Sequence, residues 1–150
     1  MMYMHQIEAP EAELGACACT TLRKASRAVT RLYDERLAAH GMTTVQFSIL
    51  RNLARADGAL PLSRLADRLV MDRTSLYRTL APVTRAGWAV IENGPGHSKL
   101  ARLTDIGRAA IAGAEGDWQG AQAHVLGEID PGEWQAMIGT LHRLIEAAQV

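Results

Sequence analysis

The chain has 150 residues, 48% hydrophobic and 21% charged, a balance that suits one globular core and excludes both a disordered polyelectrolyte and two independent domains. Its 16 basic and 16 acidic residues cancel, which excludes bulk adhesion to polyanions and leaves only a local contact. No apolar run approaches the roughly 20 residues of a membrane helix, and the opening "MMYMHQIEAPEAEL" lacks the basic start and apolar middle of an export signal, so a cytoplasmic protein is expected.

From Glu11 to Ala39, apolar residues recur at spacings of three and four (Leu14, Cys17 or Ala18, Leu22, Ala25, Val29, Leu32 or Tyr33, Leu37), predicting one long helix. Gly41 ends it. A second helix starts at a capping threonine in "MTTVQFSILRNLARADG", buries Val45, Ile49, Leu50 and Leu53, and closes at Asp57-Gly58. Leu62 to Leu69 forms a third, barely two turns long, with Ser63 as expected N-cap and Leu65, Ala66 and Leu69 on one side. Asp72 caps a fourth, whose inward side is Leu76, Leu80 and Val83. Pro82 removes a backbone donor inside it and predicts a kink rather than an end, and Gly87 closes it.

"WAVIE", the turn "NGPG" and "HSKLARL" predict a β-hairpin over residues 88–103. Thr104 and Asp105 open a helix to about Gly127, with Ile106, Ala110, Trp118, Ala121 and Val125 loosely in phase. Asp130-Pro131 starts a last one, striped by Trp134, Met137 or Ile138, Leu141, Leu144 or Ile145, and Ala148. The expected fold is therefore mainly α with a small β-hairpin wing, a winged helix-turn-helix flanked by long terminal helices. The apolar stripes of those helices exceed what the small central module can cover, which predicts pairing with a second copy.

Charge is unevenly placed. Residues 63–102 hold Arg64, Arg68, Arg73, Arg78, Arg85, Lys99 and Arg102 against three acids, an excess of four, whereas residues 103–150 carry an excess of five negative charges. A basic segment within a neutral chain points to a local polyanion contact, with a solvated arginine face as the alternative.

The run from Met42 to Ile111 resembles the core of the MarR family of bacterial transcription regulators. The resemblance lies in the "LT-x-x-QF-x-IL" opening, here Met42-Thr43-Thr44-Val45-Gln46-Phe47. It continues in the "LA-x-x-L-x-x-DR" helix-turn-helix followed by two Ser or Thr positions, here Leu65, Ala66, Leu69, Asp72, Arg73, Thr74 and Ser75, and in the "LT-x-x-GR" after the wing, here Leu103, Thr104, Gly107 and Arg108. With flanking helices it covers residues 14–146.

The resemblance implies a single domain over 1–150, with dimerisation helices at 11–40 and 105–148 and a winged DNA-binding module at 43–103. It implies a homodimer that presents two recognition helices to a pseudo-palindromic double-stranded DNA operator. Arg78 is the candidate for reading a guanine edge, since its fork matches O6 and N7. Thr74, Ser75 and Tyr77 suit phosphate or thymine-methyl contact. Arg73 serves either DNA or structural bonds at the helix start, and Arg64 adds to the basic face. Where many relatives carry a "D-x-R" wing tip, this chain has Gly94-Pro95-Gly96-His97-Ser98-Lys99. That tip is expected to neutralise fewer phosphates, with His97 and Lys99 left to touch the backbone.

Cys17 and Cys19 are too close in sequence to staple distant segments and suit a reducing compartment. The organic-hydroperoxide-sensing branch of the family carries a reactive cysteine early in the first helix. Counting back from Gln46 puts Cys19 there, and Tyr33 matches one of two tyrosines that contact the sensing sulfur in that branch; Arg23 stands at the position of the other. Cys19, Cys17 and Tyr33 are thus the candidate redox site, the alternative being small cysteines in a dimer-forming helix. Adjacent helical positions i and i+2 face apart, which disfavours a disulfide between the two.

His5, His40, His97, His124 and His142 are dispersed without metal-ligand spacing, and neither a phosphate loop nor a nucleophile elbow occurs. No metal, no cofactor and no enzyme activity are expected. The expected function is a dimeric DNA-binding regulator, a repressor released by a small-molecule effector or an oxidant. The alternative is a winged-helix adaptor that binds protein instead of DNA.

Overall fold

The computed structural model describes residues 16–56 and 58–149. The expected helical residues 11–15 with Leu14, the helix-closing Asp57, and His5 lie outside them. Among the described residues, six α-helices and three short strands follow in order. These are α1 (Ala18–Leu37), α2 (Thr44–Arg55), β1 (Ala59–Pro61), α3 (Leu62–Leu69), α4 (Arg73–Arg85), β2 (Ala89–Asn93), β3 (Lys99–Leu103), α5 (Asp105–Leu126) and α6 (Pro131–Ala148). A single 3-10 turn, Ala38–His40, links α1 to Gly41, whose φ of +66° turns the chain.

Local chemistry accounts for most helix starts. Thr43 and Gln46 form a reciprocal capping box on α2, at 3.3 and 3.0 Å. Thr104 caps α5 through the Gly107 amide, and Asp130 caps α6 through Gly132 and Glu133, with Pro131 in the first turn. α4 runs through Pro82 to Arg85, so the proline does not end it. It closes on a Schellman motif: the Trp88 amide bonds the Val83 carbonyl at 3.1 Å, the Gly87 amide bonds that of Thr84 at 3.0 Å, and Gly87 sits at φ +77°.

Two expected starts are corrected. α3 spans the expected Leu62–Leu69, but its N-cap position is Pro61, two residues ahead of Ser63, so Ser63 lies inside the first turn and does not cap it. The earlier cap position lets Leu62 join Leu65 and Ala66 in the core, at the i, i+3, i+4 spacing of one helix face. α1 begins at Ala18, leaving Cys17 as an extended N-cap outside the helix.

The wing is larger than the predicted hairpin. β2 and β3 pair antiparallel, with Val90 opposite Arg102, and β1 adds antiparallel to the other edge of β3, giving the order β1-β3-β2. Three residues ending in proline carry too short an alternation to be read as a strand. Beneath the sheet lies one core, in which Leu37, Ile49, Leu50, Leu65, Leu76, Leu80, Val83 and Ala101 have no exposed surface.

The long helices are less covered. Of the described part of the apolar stripe expected on α1, only Tyr33 and Leu37 are buried, and α6 has no buried residue. Leu22, Met137 and Leu144 are each 40% exposed, and Ile106, expected to face inward, is 63% exposed. No helix among the described residues is long and apolar enough to cross a membrane.

The cap of α4 has a measurable acid signature. Asp72 accepts from the Ser75 amide at 2.7 Å and hydroxyl at 2.9 Å, which holds its carboxyl below its ordinary 3.8. A carboxylate with a depressed folded pKa stabilises above its unfolded value and ceases to do so as pH falls through the folded one. Asp72→Ala is therefore expected to be less stable than the parent at pH 7, and to lose less stability between about pH 5 and pH 2. Denaturant titrations at each pH check this; parallel losses in both proteins would mean that the cap does not titrate with folding.

Candidate nucleic-acid interface

With Leu76, Leu80 and Val83 turned into the core, the opposite side of α4 presents Thr74, Tyr77 and Arg78 at positions i, i+3 and i+4, with Arg73 beside them. All four are exposed, Tyr77 by 42%. Arg73, Arg78 and the equally exposed Arg64 of α3 make no hydrogen bond or ion pair with the described residues. Arg73 therefore makes none of the structural bonds that were its alternative role. Ser75 is different: its hydroxyl donates to the Asp72 carboxylate at 2.9 Å, so it has lone pairs but no free proton for a phosphate oxygen.

The turn that aims α4 is tight. Val70 ends α3 at φ +52°, the left-handed region, and the Met71 amide reaches back to the Ala66 carbonyl at 2.9 Å. A β-branched residue is strained there.

The wing tip is closed by the Gly94 amide on the Ser98 carbonyl at 2.9 Å, with Gly96 at φ +65°. Arg102 is engaged along the strands: its guanidinium holds Glu92 through two hydrogen bonds, 3.1 and 3.2 Å, which lower the Glu92 carboxyl and raise Arg102. It adds no free charge at the tip. Lys99 donates to Asn93. His97 and Lys99 instead face back toward α4 across a cleft of about 210 Å³, whose other polar walls are Ser63, Arg73, Tyr77 and Ser98. Ser63 was missed as a site residue because the sequence presents it as a cap.

Contacts between distant residues tie both the winged module and the end of α1 to α5. Phe47 of α2 stacks on Trp118 of α5 at 5.8 Å, and the Arg51 guanidinium lies 4.1 Å from the Trp118 ring. His40 pairs with Asp117 at 2.6 Å. The Tyr33 hydroxyl donates to Gln122, and burial pushes its pKa up.

The candidate redox residues do not assemble within one protomer. Tyr33 lies 14 positions beyond Cys19 on α1, about 21 Å along the axis. Both cysteines are free and exposed. The Thr20 amide and hydroxyl approach the Cys17 sulfur and lower its pKa, although no cap hydrogen bond is formed. Because Cys17 precedes the helix, the helical argument for its facing away from Cys19 does not hold. Among the described residues no group of three or more His, Cys, Asp or Glu is placed to hold a metal.

Residues 45–90 match the IclR helix-turn-helix domain. No curated protein matches the chain closely enough to count as a relative. Among solved structures, the Mycobacterium tuberculosis transcriptional regulator MosR in complex with DNA is 34% identical, with a TM-score of 0.79 over 89% of this chain and 99% of its own. Sco5413, a MarR family transcriptional regulator from Streptomyces coelicolor, is 28% identical, with a TM-score of 0.75 over 87% of this chain and 92% of its own. CouR from Rhodococcus jostii RHA1, bound to p-coumaroyl-CoA, shares the fold at 16% identity and a TM-score of 0.79, over 90% and 96% of the two chains. On the winged helix-turn-helix, its motif residues and this likeness over nearly the whole of both chains, the protein belongs to the MarR family of transcriptional regulators.

Proposed function

We propose that the protein is a homodimeric, sequence-specific DNA-binding regulator of the cytoplasm, acting as a repressor whose hold on its operator is released by an effector. The observation that carries this is the outer face of α4. Four exposed side chains, two of them guanidinium groups without a partner among the described residues, stand beside His97 and Lys99 of the wing, in a chain 34% identical to a regulator solved with DNA. An α-helix fits the major groove of B-DNA, where Arg78 can pair with a guanine while Thr74, Tyr77 and Arg73 hold backbone and methyl groups. The apolar residues left open on α1 and α6 supply a surface for a second copy. Covering the 40% still exposed on Leu22, Met137 or Leu144 contributes about 0.6–1.2 kcal/mol each, and a two-fold pair of recognition helices reads half-sites about one turn apart.

Selection of genomic fragments on the reduced protein at about 150 mM salt, where counterion-driven nonspecific binding is weakened, tests the reading. Enrichment of a pseudo-palindrome is expected. Recovery of no sequence by dimeric protein would favour the adaptor.

An apolar groove of about 390 Å³ between Leu22 of α1, Val70 of the α3–α4 turn, and Leu141, Leu144 and Ile145 of α6 joins the long helices to the reading head. A ligand there acts only if it prefers one spacing of the two heads. For an oxidant, the exposed sulfurs of Cys17 and Cys19 are the entry point, and the Thr20 amide and hydroxyl beside Cys17 favour its thiolate. Alkylation at pH 7 followed by mass spectrometry is expected to label Cys17 before Cys19. An organic hydroperoxide is expected to release operator from the parent and to leave it bound to Cys19→Ser. Oxidised parent that keeps its DNA would remove the redox reading.

A further inference from the structure

The cleft between α3, α4 and the wing tip is built for an anion. Arg73 and Tyr77 face it from α4, His97 and Lys99 from the wing, Ser63 from α3, and no carboxylate of the described residues lines it. The nearby acids are engaged or turned elsewhere: Asp72 caps Ser75, Glu92 is held by Arg102, and Asp67 borders a separate groove with Met71. Lys99 spends one proton on Asn93 and keeps two, whereas the Ser98 hydroxyl donates to the Pro95 carbonyl and offers only lone pairs. α3 starts without a side-chain cap, and its first two residues border the cleft.

We propose that this cleft seats one phosphate, and that His97 makes its occupation depend on pH. Arginine and lysine side chains supply charge that does not change near neutral pH, whereas an imidazole's does. A phosphate against the ring favours the protonated form, so by linkage a protonated ring favours the phosphate. The wing and the recognition helix then grip the same group, and the cleft tightens as pH falls. The ligand chemistry is shared by a DNA phosphodiester and free inorganic phosphate. The phosphodiester assignment rests on the regulator reading above.

Two measurements on the full-length reduced protein decide it. First, operator affinity is followed from about pH 8 to about pH 6 at constant ionic strength. The parent is expected to tighten by on the order of tenfold per occupied cleft. His97→Gln should bind DNA with that slope lost, and His124→Gln, on α5, should retain it. A flat parent profile, or an equal slope in His97→Gln, overturns the assignment to a DNA phosphodiester. Second, the His97 ring proton is titrated by NMR in inorganic phosphate and in chloride of matched ionic strength, for the parent and for Arg73→Ala. An upward shift of the midpoint in phosphate, reduced in Arg73→Ala, supports the anion seat; no shift overturns it. If the parent bound no DNA, the regulator reading would fail, and the phosphate titration alone would decide whether the cleft is an anion site.

Discussion

Arg78→Ala is expected to weaken operator binding by roughly 1–3 kcal/mol, about five- to 150-fold, at unchanged salt. The side chain stands exposed in the second turn of α4 with no ion-pair partner among the described residues, so its removal costs the fold little and its effect belongs to the complex. A guanidinium on guanine O6 and N7 donates two parallel hydrogen bonds that alanine cannot replace. The loss should therefore concentrate at one base pair of each half-site. Measured against operators substituted base by base, the variant is expected to tolerate changes at that position that the parent rejects. Replacement of Arg64 should act differently, weakening all sequences alike and reducing the salt slope by about one. Equal affinity of Arg78→Ala and parent at matched salt would show that another residue reads the base.

Gly107→Ala is expected to cost about 2–3 kcal/mol of stability. A Cβ at this position would lie 2.0 Å from the Trp88 carbonyl oxygen and 2.7 Å from Leu103 Cδ1. The backbone cannot give way cheaply, because the Thr104 amide bonds that same Trp88 oxygen at 3.0 Å and the Thr104 hydroxyl bonds the Gly87 carbonyl at 2.5 Å. Glycine is needed here for close approach of α5 to the end of α4, where the wing begins. For a chain of this size the cost corresponds to a fall in Tm of about 4–12 °C. Gly113→Ala, in the same helix with nothing within 4 Å of the new Cβ, is expected to be neutral or stabilising by up to about 1 kcal/mol. Thermal unfolding of the two variants beside the parent is the check. A Gly107→Ala protein as stable as Gly113→Ala would mean that α5 and the Trp88 backbone do not approach closely in solution.

Features set by neighbouring residues are legible in the sequence. Thr43, Asp72, Thr104 and Asp130 cap helices through amides two or three positions on, and such bonds depend on little beyond local sequence. The inward Leu76, Leu80 and Val83 follow from helical period alone, and that period also places Thr74, Tyr77 and Arg78 outside. The hairpin is marked by its glycines and β-branched residues.

The tertiary structure decided what distant residues do to one another. β1 exists because β3 offers it an edge; three residues ending in Pro61 have no strand signal of their own. Ser63 lost its expected capping role because the core draws in Leu62. Arg51 finds Trp118, and Tyr33 finds Gln122, across separations that no local pattern encodes. The cleft of Ser63, Arg73, Tyr77, His97 and Lys99 is drawn from α3, α4 and the wing, each placed by the core beneath. Sequence by itself determined the helices, their inward and outward faces and the reading head, because capping and periodicity act over a few residues. The anion cleft, the third strand and the joints to the long helices needed the folded chain, because burial is shared among segments that meet only once the core has formed.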